Sequence, residues 1–237
     1  KCNLIIITSD KCYKNNEWIW SYRENDSLGG KDPYSASKGS AELVANSMYE
    51  SFFKNNDNIR ITTARAGNVI GGGDWSDDRL MPDIIRAWRS KKHITVRNPN
   101  STRPWQHVLE PLSGYLQLGY KITKDRGING NSYNFGPIEM GSKSVISFLN
   151  SVKKSLDNNV NIKIYKNNNL IESKLLKLNI DKAINNLDWR PTLNFDELVK
   201  YTLDWYKSFY KKNNMYDFSI NQITMFENKI NEKKNFK

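Results

Sequence analysis

A short run of branched apolar residues near the start of the chain, Leu4-Ile5-Ile6-Ile7-Thr8, limits the possible folds more than any other feature. Uninterrupted runs of this kind are typical of strands buried on both faces of a parallel sheet. A helix is predicted to begin at Asp32-Pro33, where a capping carboxylate precedes a proline at the first helical position. A second strand is predicted from Ile59 to Arg65. Strand, helix and strand in this order predict a right-handed parallel crossover and an α/β fold.

The predicted helix behind Pro33 carries apolar side chains at helical spacing, and we expect this stripe to face a core. The stripe consists of Ala41, Val44, Ala45, Met48, Tyr49, Phe52 and Phe53. The remaining pattern predicts helices over 80–89, 144–156 and around 195–209, short strands at 94–96 and 133–135, and a surface helix at the end of the tail from 211.

The N-terminal part of the chain supplies few strands for the predicted sheet. A doubly wound domain needs more than the two strong strands found here, and no G-x-G-x-x-G fingerprint follows a strand and precedes a helix. The cluster Gly71-Gly72-Gly73 indicates a flexible or close-packed turn and not a phosphate cradle. We therefore expect the chain to begin partway through a domain.

The charge balance is strongly basic. There are 36 Lys and Arg against 25 Asp and Glu, a net charge of +11, and the mean hydropathy is −0.71. A nucleic-acid partner has to be considered, but the lysines are scattered and we expect none. A locally basic pocket for an acidic small molecule is compatible with the same composition. Aromatic residues at 12% argue against disorder.

Other classes of protein are excluded by local features. The first apolar run is far shorter than the roughly 20 residues of a membrane helix, so we expect no membrane partner and no signal peptide. The two cysteines, Cys2 and Cys12, fit no metal-ligand or redox spacing and predict free thiols in a reducing cytoplasm.

The sharpest motif is Tyr34-Ser35-Ala36-Ser37-Lys38. Its Tyr and Lys fall on one face of a helix, one turn apart. An adjacent ammonium favours the phenolate, which gives a proton acceptor for an alcohol and a cation for a ribose hydroxyl. An exposed Tyr over a solvated Lys is the simpler alternative. The motif follows a strand that ends in Ser9-Asp10-Lys11, and ligands of open α/β sheets bind beyond such strand ends.

Several segments together carry a resemblance to a known family. They are Thr8 to Tyr13 with the Tyr34–Lys38 motif, Glu17 to Asp26, Arg65 to Trp75, Arg103 to Val108, Leu187 to Pro191, and Trp205-Tyr206. The chain resembles, from residue 1 to about 210, the extended short-chain dehydrogenases/reductases that act on nucleotide sugars. Within them it is most similar to the subfamily of 4,6-dehydratases that act on CDP-glucose.

The resemblance implies a dehydration that uses NAD and returns the hydride internally. Tyr34 would deprotonate the glucose 4-hydroxyl, and Lys38 would bind the nicotinamide ribose and depress the pKa of Tyr34. Ser9 would hydrogen-bond the C4 oxygen. Asp10 would protonate the departing C6 hydroxyl, which requires a raised pKa, and Lys11 would remove the C5 proton, which requires a neutral amine. A surface ion pair is the alternative for Asp10 and Lys11.

The same resemblance places substrate-binding residues later in the chain. Asn68 would contact the sugar phosphate, and Arg103 would form a charge-assisted fork on the diphosphate. Arg79 and Arg97 lie in segments that contact the nucleotide in relatives, and each arginine has the alternative of a solvated charge. We expect His107 to be a hydrogen-bonded interior residue. His93 and the tryptophan-rich loop at 18–20 are expected to be structural.

The expected organisation follows from this reading. The fold would be the C-terminal part of a Rossmann-like doubly wound parallel sheet plus a smaller mixed α/β substrate-binding lobe. Residues 1–70 would be the remainder of an NAD-binding domain, 71–210 mainly the nucleotide-sugar lobe with returning Rossmann segments, and 211–237 a C-terminal tail, predicted to be helical. We expect a homo-oligomer that supplies deoxysugars for bacterial surface polysaccharides, and little NAD binding or turnover by this chain alone.

Two alternatives remain open at this point. A related epimerase or reductase needs Tyr34 and Lys38 but no elimination pair, so Asp10-Lys11 discriminates between the two kinds of enzyme. A basic module that binds nucleic acid is the alternative from another class, and it lacks stacking aromatics interleaved with Arg in a recognisable motif.

Overall fold

The computed structural model describes residues 1–96, 98–138, 143–156, 161–164 and 175–235. The strands are β1 (Cys2–Ile7), β2 (Ile59–Ala66), β3 (Val69–Ile70), β4 (His93–Val96), β5 (Thr102–Arg103), β6 (Gln106–His107), β7 (Ser132–Phe135), β8 (Lys143–Ser144) and β9 (Asn161–Ile164). The helices are α1 (Pro33–Met48), α2 (Leu80–Ser90), α3 (Leu109–Lys124), α4 (Val145–Ser155), α5 (Asp181–Leu187), α6 (Phe195–Tyr210) and α7 (Met215–Asn235).

The main sheet is parallel, with strand order β1-β2-β7. Helices cover both of its faces. The face with Leu4 and Ile6 lies under α1, and these two side chains line a shallow cleft with Val44. On the opposite face a Cβ on Gly119 of α3 would lie 3.3 Å from Ile5 Cδ1. The predicted α/β class with a doubly wound parallel sheet is therefore confirmed.

The prediction that the first strand is buried on both faces is wrong for this chain. Leu4 is 39% exposed and Ile7 is 46% exposed, whereas the second strand is buried from Ile61 onward. The reason is position in the sheet, because β1 pairs only with β2 among the described residues and forms an edge. Burial begins at Thr8, where the chain turns inward.

The predicted helix start at Asp32 is confirmed. The Asp32 carboxylate accepts a hydrogen bond from the Ser35 N–H at 3.0 Å, and Pro33 occupies the first turn. The expected burial of the apolar stripe is confirmed only in part, because Ala45 is buried but Val44 is 62% exposed and Phe52 is 65% exposed. This stripe lies toward the open edge of β1, where the described residues provide nothing to cover it.

Helix α3 is not predicted by the sequence analysis. Pro111 in its first turn and two internal glycines weaken the helical pattern. The structure explains one of them, because a Cβ on Gly114 would lie 2.3 Å from Phe135 Cδ1. Helix α3 therefore packs closely on β7, and its Leu118 and Ile122 are part of the core of the main sheet.

The second part of the fold is a lobe with its own core. Helices α2, α4 and α6 enclose this core, in which Trp105 stacks on Phe148 with ring centroids 4.5 Å apart. The short pairs β4-β9, β3-β6 and β5-β8 lie around it. The glycine cluster is a close-packed turn, since a Cβ on Gly72 would lie 2.0 Å from Trp205 Cγ.

The predicted C-terminal helix is present as α7. Most of its side chains are exposed, but Phe226 is buried. Gln222 Nε2 donates to the Tyr201 carbonyl oxygen at 2.8 Å, and Lys229 forms an ion pair with Glu197. Helix α7 is therefore held against α6. Across the described ranges, none of the helices combines the length and hydropathy of a membrane span.

Candidate active site

The turn that follows β1 contains two of the predicted catalytic side chains. Ser9 and Asp10 are buried there, and residues 10–12 form one turn of 3-10 helix. The Ser9 hydroxyl accepts a hydrogen bond from the Lys11 N–H at 3.2 Å and donates one to Asp10 Oδ1 at 3.0 Å. Ser9 therefore caps the turn and orients the Asp10 carboxyl.

The Asp10 carboxyl is enclosed by protein. Asp10 is 3% exposed, and its Oδ2 accepts no hydrogen bond from the described residues. Burial raises the pKa of this carboxyl, although the charges of Lys11 and Arg103 act in the opposite direction. A buried carboxyl with a raised pKa and a free oxygen can hold a proton and present it to a ligand. The alternative of a surface ion pair is wrong for Asp10.

Lys11 lies half-buried close to two carboxyls. Its charge lowers the pKa of Asp10, and it also contributes to the lowered pKa of Asp32, which is due first to hydrogen bonds from Ser35. The side chain is therefore near both the end of β1 and the start of α1.

The Tyr34–Lys38 pair lies at the start of α1. Lys38 Nζ is 5.7 Å from the centroid of the Tyr34 ring, and Tyr34 is 56% exposed. Helix α1 packs directly on the turn after β1, since a Cβ on Gly39 would lie 3.3 Å from the Cys12 carbonyl oxygen. The structure therefore places the helix of Tyr34 and Lys38 against the turn of Asp10 and Lys11.

Residues after β2 and β5 form the wall around Asp10. A Cβ on Gly67 would lie 2.5 Å from Pro104 Cγ and 3.2 Å from Asp10 Oδ2. Arg103 precedes Pro104, is buried, and donates from Nη1 to the Thr102 carbonyl oxygen at 2.9 Å. Because its charge also acts on the pKa of Asp10, Arg103 lies at the same site.

The other predicted substrate-binding residues are less closely gathered. Asn68 is half-buried between β2 and β3, and its carbonyl oxygen accepts a hydrogen bond from the Gln106 N–H at 3.0 Å. Arg79 is exposed at the start of α2, and it forms no hydrogen bond or ion pair with the other predicted site residues in the described part of the chain. Arg97 lies outside the described residues.

His107 has the expected hydrogen-bonded interior position. His107 is buried, and its Nδ1 accepts a hydrogen bond from the Leu109 N–H at 3.3 Å. Burial lowers the pKa of its imidazole to about 4, so the ring is neutral in the interior. His93 is exposed on β4.

A buried polar network behind the site was missed by the sequence analysis. Its members are Thr8, Tyr13, Glu42, Thr63, Arg65, Ser132 and Asn134. At its centre Arg65 Nη2 donates to Glu42 Oε2 at 2.8 Å, and both side chains are almost completely buried. The available signal was the spacing of Glu42, two helical turns after Tyr34 on the same face of α1.

A separate cavity lies in the lobe. It has a volume of about 530 Å³ and is lined by Trp105, Gln106, Glu110, Phe195 and Lys233 among others. None of the predicted catalytic residues is among the described residues that line it. Within the described ranges no group of three or more His, Cys, Asp or Glu side chains could hold a metal ion.

Glu110 is a buried carboxylate in the wall of this cavity. Both of its oxygens accept the Thr192 N–H at 2.9 Å, and Oε1 also accepts the Leu193 N–H at 2.6 Å. Burial raises the pKa of Glu110 to about 7, although these N–H groups and the charge of Lys233 act against the rise.

Comparison with known proteins places the chain in a family. Residues 1–202 match the model of the GDP-mannose 4,6 dehydratase family. The chain belongs to that family. It is 40% identical over 225 residues to the CDP-glucose 4,6-dehydratase of Salmonella typhimurium, covering 93% of this chain and 63% of the relative. The chain thus spans less than two thirds of the length of this relative.

Solved structures of related enzymes share the fold. The dTDP-glucose 4,6-dehydratase of Bacillus anthracis, solved in complex with NAD, superposes with a TM-score of 0.72 at 20% identity over 87% of this chain and 62% of that one. The UDP-glucose-4-epimerase of Stenotrophomonas maltophila, solved with bound NAD, has a TM-score of 0.76 at 15% identity over 89% of this chain and 65% of that one. Dehydratases and epimerases therefore share this architecture.

Proposed function

We propose that the protein to which this chain belongs is an NAD-dependent nucleotide-sugar 4,6-dehydratase, and that its substrate is CDP-glucose. The product would be CDP-4-keto-6-deoxyglucose, formed with loss of one water. Support for the reaction comes from the family and from the residues around Asp10. Support for the cytidine nucleotide comes from the 40% identity with the Salmonella enzyme.

The residues present fit one end of NAD. Tyr34 and Lys38 offer a phenol and an ammonium one helical turn apart, which is a donor set for the ribose next to the nicotinamide. When bound, NAD would accept the hydride from C4 of the sugar and supply it again to C6. The described residues and the sequence contain no glycine-rich cradle for the pyrophosphate. This chain would therefore contribute only the nicotinamide side of the cofactor site.

Three of the catalytic residues, Tyr34, Asp10 and Lys11, would carry the proton transfers. Tyr34 would take the proton of the 4-hydroxyl, and Lys38 Nζ lies 5.7 Å from the centroid of its ring. Asp10 would give its proton from Oδ2 to the departing 6-hydroxyl, which leaves as water. Lys11 would take the proton from C5, made acidic by the ketone at C4, and would give a proton back to C5 as hydride adds to C6. Ser9, which orients Asp10, would also hydrogen-bond the C4 oxygen.

Substrate binding would use cations and amides beyond the strand ends. Arg103 is buried close to Asp10 and would neutralise the diphosphate. Asn68 would contact the sugar phosphate, and Arg79 and Arg97 would contact the nucleotide.

The observation that carries the proposal is the buried position of the Asp10 carboxyl and the direction of its pKa. An epimerase needs a proton acceptor for one hydroxyl but no acid for a leaving group. The buried Asp10 with its raised pKa and unpartnered Oδ2 supplies such an acid. It lies against the helix of Tyr34 and Lys38 and beside the Arg103 cation.

The test is product analysis with the protein expressed at its full encoded length. We expect conversion of CDP-glucose to the 4-keto-6-deoxy product, with incorporation of solvent deuterium at C5, and slower conversion of dTDP-glucose and GDP-mannose. Asp10→Asn combined with Lys11→Met should abolish loss of water while reduced nicotinamide still accumulates. If this double variant still forms the 4-keto-6-deoxy product, the assigned roles are wrong. Faster conversion of another nucleotide sugar would reject CDP-glucose as the substrate.

A further inference from the structure

Glu42 is the third residue on the catalytic face of α1. Tyr34, Lys38 and Glu42 are spaced by four residues and therefore line one side of the helix. Tyr34 is open to solvent at the start of this line. Glu42 is 2% exposed at the other end, where the helix meets the sheet.

The Glu42 carboxylate binds all three strands of the main sheet. Its Oε1 accepts a hydrogen bond from the hydroxyl of Thr8, the residue directly after β1. Its Oε2 accepts hydrogen bonds from Thr63 Oγ1 at 2.7 Å and Arg65 Nη2 at 2.8 Å on β2, and from Ser132 Oγ at 3.3 Å on β7. One side chain thus joins α1 to the strand end that carries Ser9 and Asp10.

Arg65 extends the connection to the far side of the catalytic turn. Its Nη1 donates to Tyr13 Oη at 2.8 Å and to the Glu24 carbonyl oxygen at 2.9 Å. The Tyr13 hydroxyl in turn donates to Asn134 Oδ1 at 2.7 Å. Residues on both sides of Ser9-Asp10-Lys11, namely Thr8 and Tyr13, are therefore tied to the same ion pair.

The ion pair is fixed in its charged form. Burial alone would raise the pKa of Glu42, but the hydrogen bond and charge of Arg65 and the two threonine hydroxyls outweigh this effect and hold the pKa below its ordinary value. Burial would likewise lower the pKa of Arg65, and Glu42 reverses that direction. The connection is therefore independent of pH in the neutral range.

We propose that Glu42 is a positioning residue for catalysis, which through Thr8 and Arg65 sets the distance between the Tyr34–Lys38 face of α1 and the Ser9–Asp10 end of β1. The inference rests on the proposed function, in which groups from these two elements act on neighbouring carbons of one sugar. A displacement of about 1 Å between reacting groups can cost on the order of 100-fold in rate. If the ion pair were purely structural, its loss would lower the stability of the protein and leave the folded enzyme fully active.

The test compares two variants of this connection with a matched control. Glu42→Gln keeps the shape of the side chain and removes its charge, and Thr8→Val removes only the hydrogen bond to β1. Glu110→Gln is the control, because Glu110 is an equally buried carboxylate that binds backbone N–H groups of the lobe. The full-length protein is assayed with CDP-glucose well below the melting temperature of each variant.

We expect Glu42→Gln to lower kcat by about ten- to one-hundred-fold while KM stays within about two-fold, because binding groups are unchanged and reacting groups are displaced. Thr8→Val should lower kcat less, by roughly ten-fold, and should lower the melting temperature less than Glu42→Gln does. Glu110→Gln should alter the melting temperature and leave kcat within about two-fold.

Unchanged kcat in Glu42→Gln, or a loss no greater than in Glu110→Gln, would overturn the proposal. If circular dichroism shows that Glu42→Gln is unfolded, the test rests on Thr8→Val. An unchanged kcat in Thr8→Val overturns the proposal equally. An inactive wild-type protein would instead overturn the proposed function, and this inference with it. If the wild-type protein is active and the variants are equally active, only the positioning role of Glu42 is rejected.

Discussion

Glu110 makes the stability of the lobe depend on pH in a direction unusual for a carboxylate that accepts hydrogen bonds. Folding moves its pKa from an ordinary 4.5 to about 7, because the side chain is 2% exposed. Between these two values the folded chain holds a proton that the unfolded chain releases. The free energy of unfolding therefore falls as pH rises from 4.5 through 7, by about 3 kcal/mol in total for this group.

Glu110→Gln removes the titration and should remove this fall. The measurement is urea unfolding of wild-type protein and variant at pH 5 and pH 8, followed by circular dichroism. Gln forms different hydrogen bonds with Thr192 and Leu193, but that cost is nearly the same at both pH values. We therefore expect the variant to gain about 2.5 kcal/mol relative to wild type between pH 5 and pH 8. Glu50→Gln, at an exposed carboxylate, is the control for the substitution itself.

An equal difference in the free energy of unfolding between wild type and Glu110→Gln at both pH values would refute a raised pKa of Glu110. That result would mean that Glu110 is already ionised at pH 5 in the folded chain. A second variant tests the cause of the pKa. Lys233→Met removes a charge that favours ionised Glu110. In this variant the free energy of unfolding should therefore fall at higher pH than it does in wild type.

Three further predictions use the close contacts of the fold and the proposed cofactor site. Gly72→Ala forces a methyl group against Trp205 and should cost about 1–3 kcal/mol in urea unfolding; in Gly119→Ala the new methyl meets only a side-chain end, so an equal loss there would contradict the packing argument. Gly67→Ala should displace Pro104 and the adjacent Arg103, which is proposed to bind the diphosphate. KM for CDP-glucose in the full-length protein should therefore rise by about ten-fold with NAD affinity unchanged. An unchanged KM would contradict the placement of Gly67 and Pro104 beside the substrate. The isolated 237-residue chain should contain little NAD after purification, and a stoichiometric amount would refute the view that it carries only the nicotinamide side.

Local signals predicted the elements around the site well. The Asp32-Pro33 start of α1 and the strand at Ile59 follow from capping chemistry and from short-range apolar patterns. Residues such as Asp10 could be placed at the carboxyl ends of the strands, because parallel strands all end on the same side of the sheet. These inferences need only the neighbours of each residue in the sequence.

What the sequence analysis missed depends on residues far apart in the chain. The exposure of Leu4 and Val44 follows from the absence of a described neighbour beyond β1, which no local pattern encodes. Helix α3 has two glycines that weaken its signal, and the structure explains one of them, Gly114, by contact with Phe135. The bond between Glu42 and Arg65 joins residues 23 positions apart, and neither residue type alone indicates burial.

The edge position of β1 affects how the chain behaves in concentrated solution. One side of this strand presents N–H and C=O groups without a described partner, next to the exposed side chains of Leu4 and Ile7. Such an edge is a template onto which a strand from another molecule can add, and it lacks the lysines, prolines or bulges that discourage aggregation. This edge is therefore a solubility hazard of the isolated chain, and Leu4→Lys is the simplest protection.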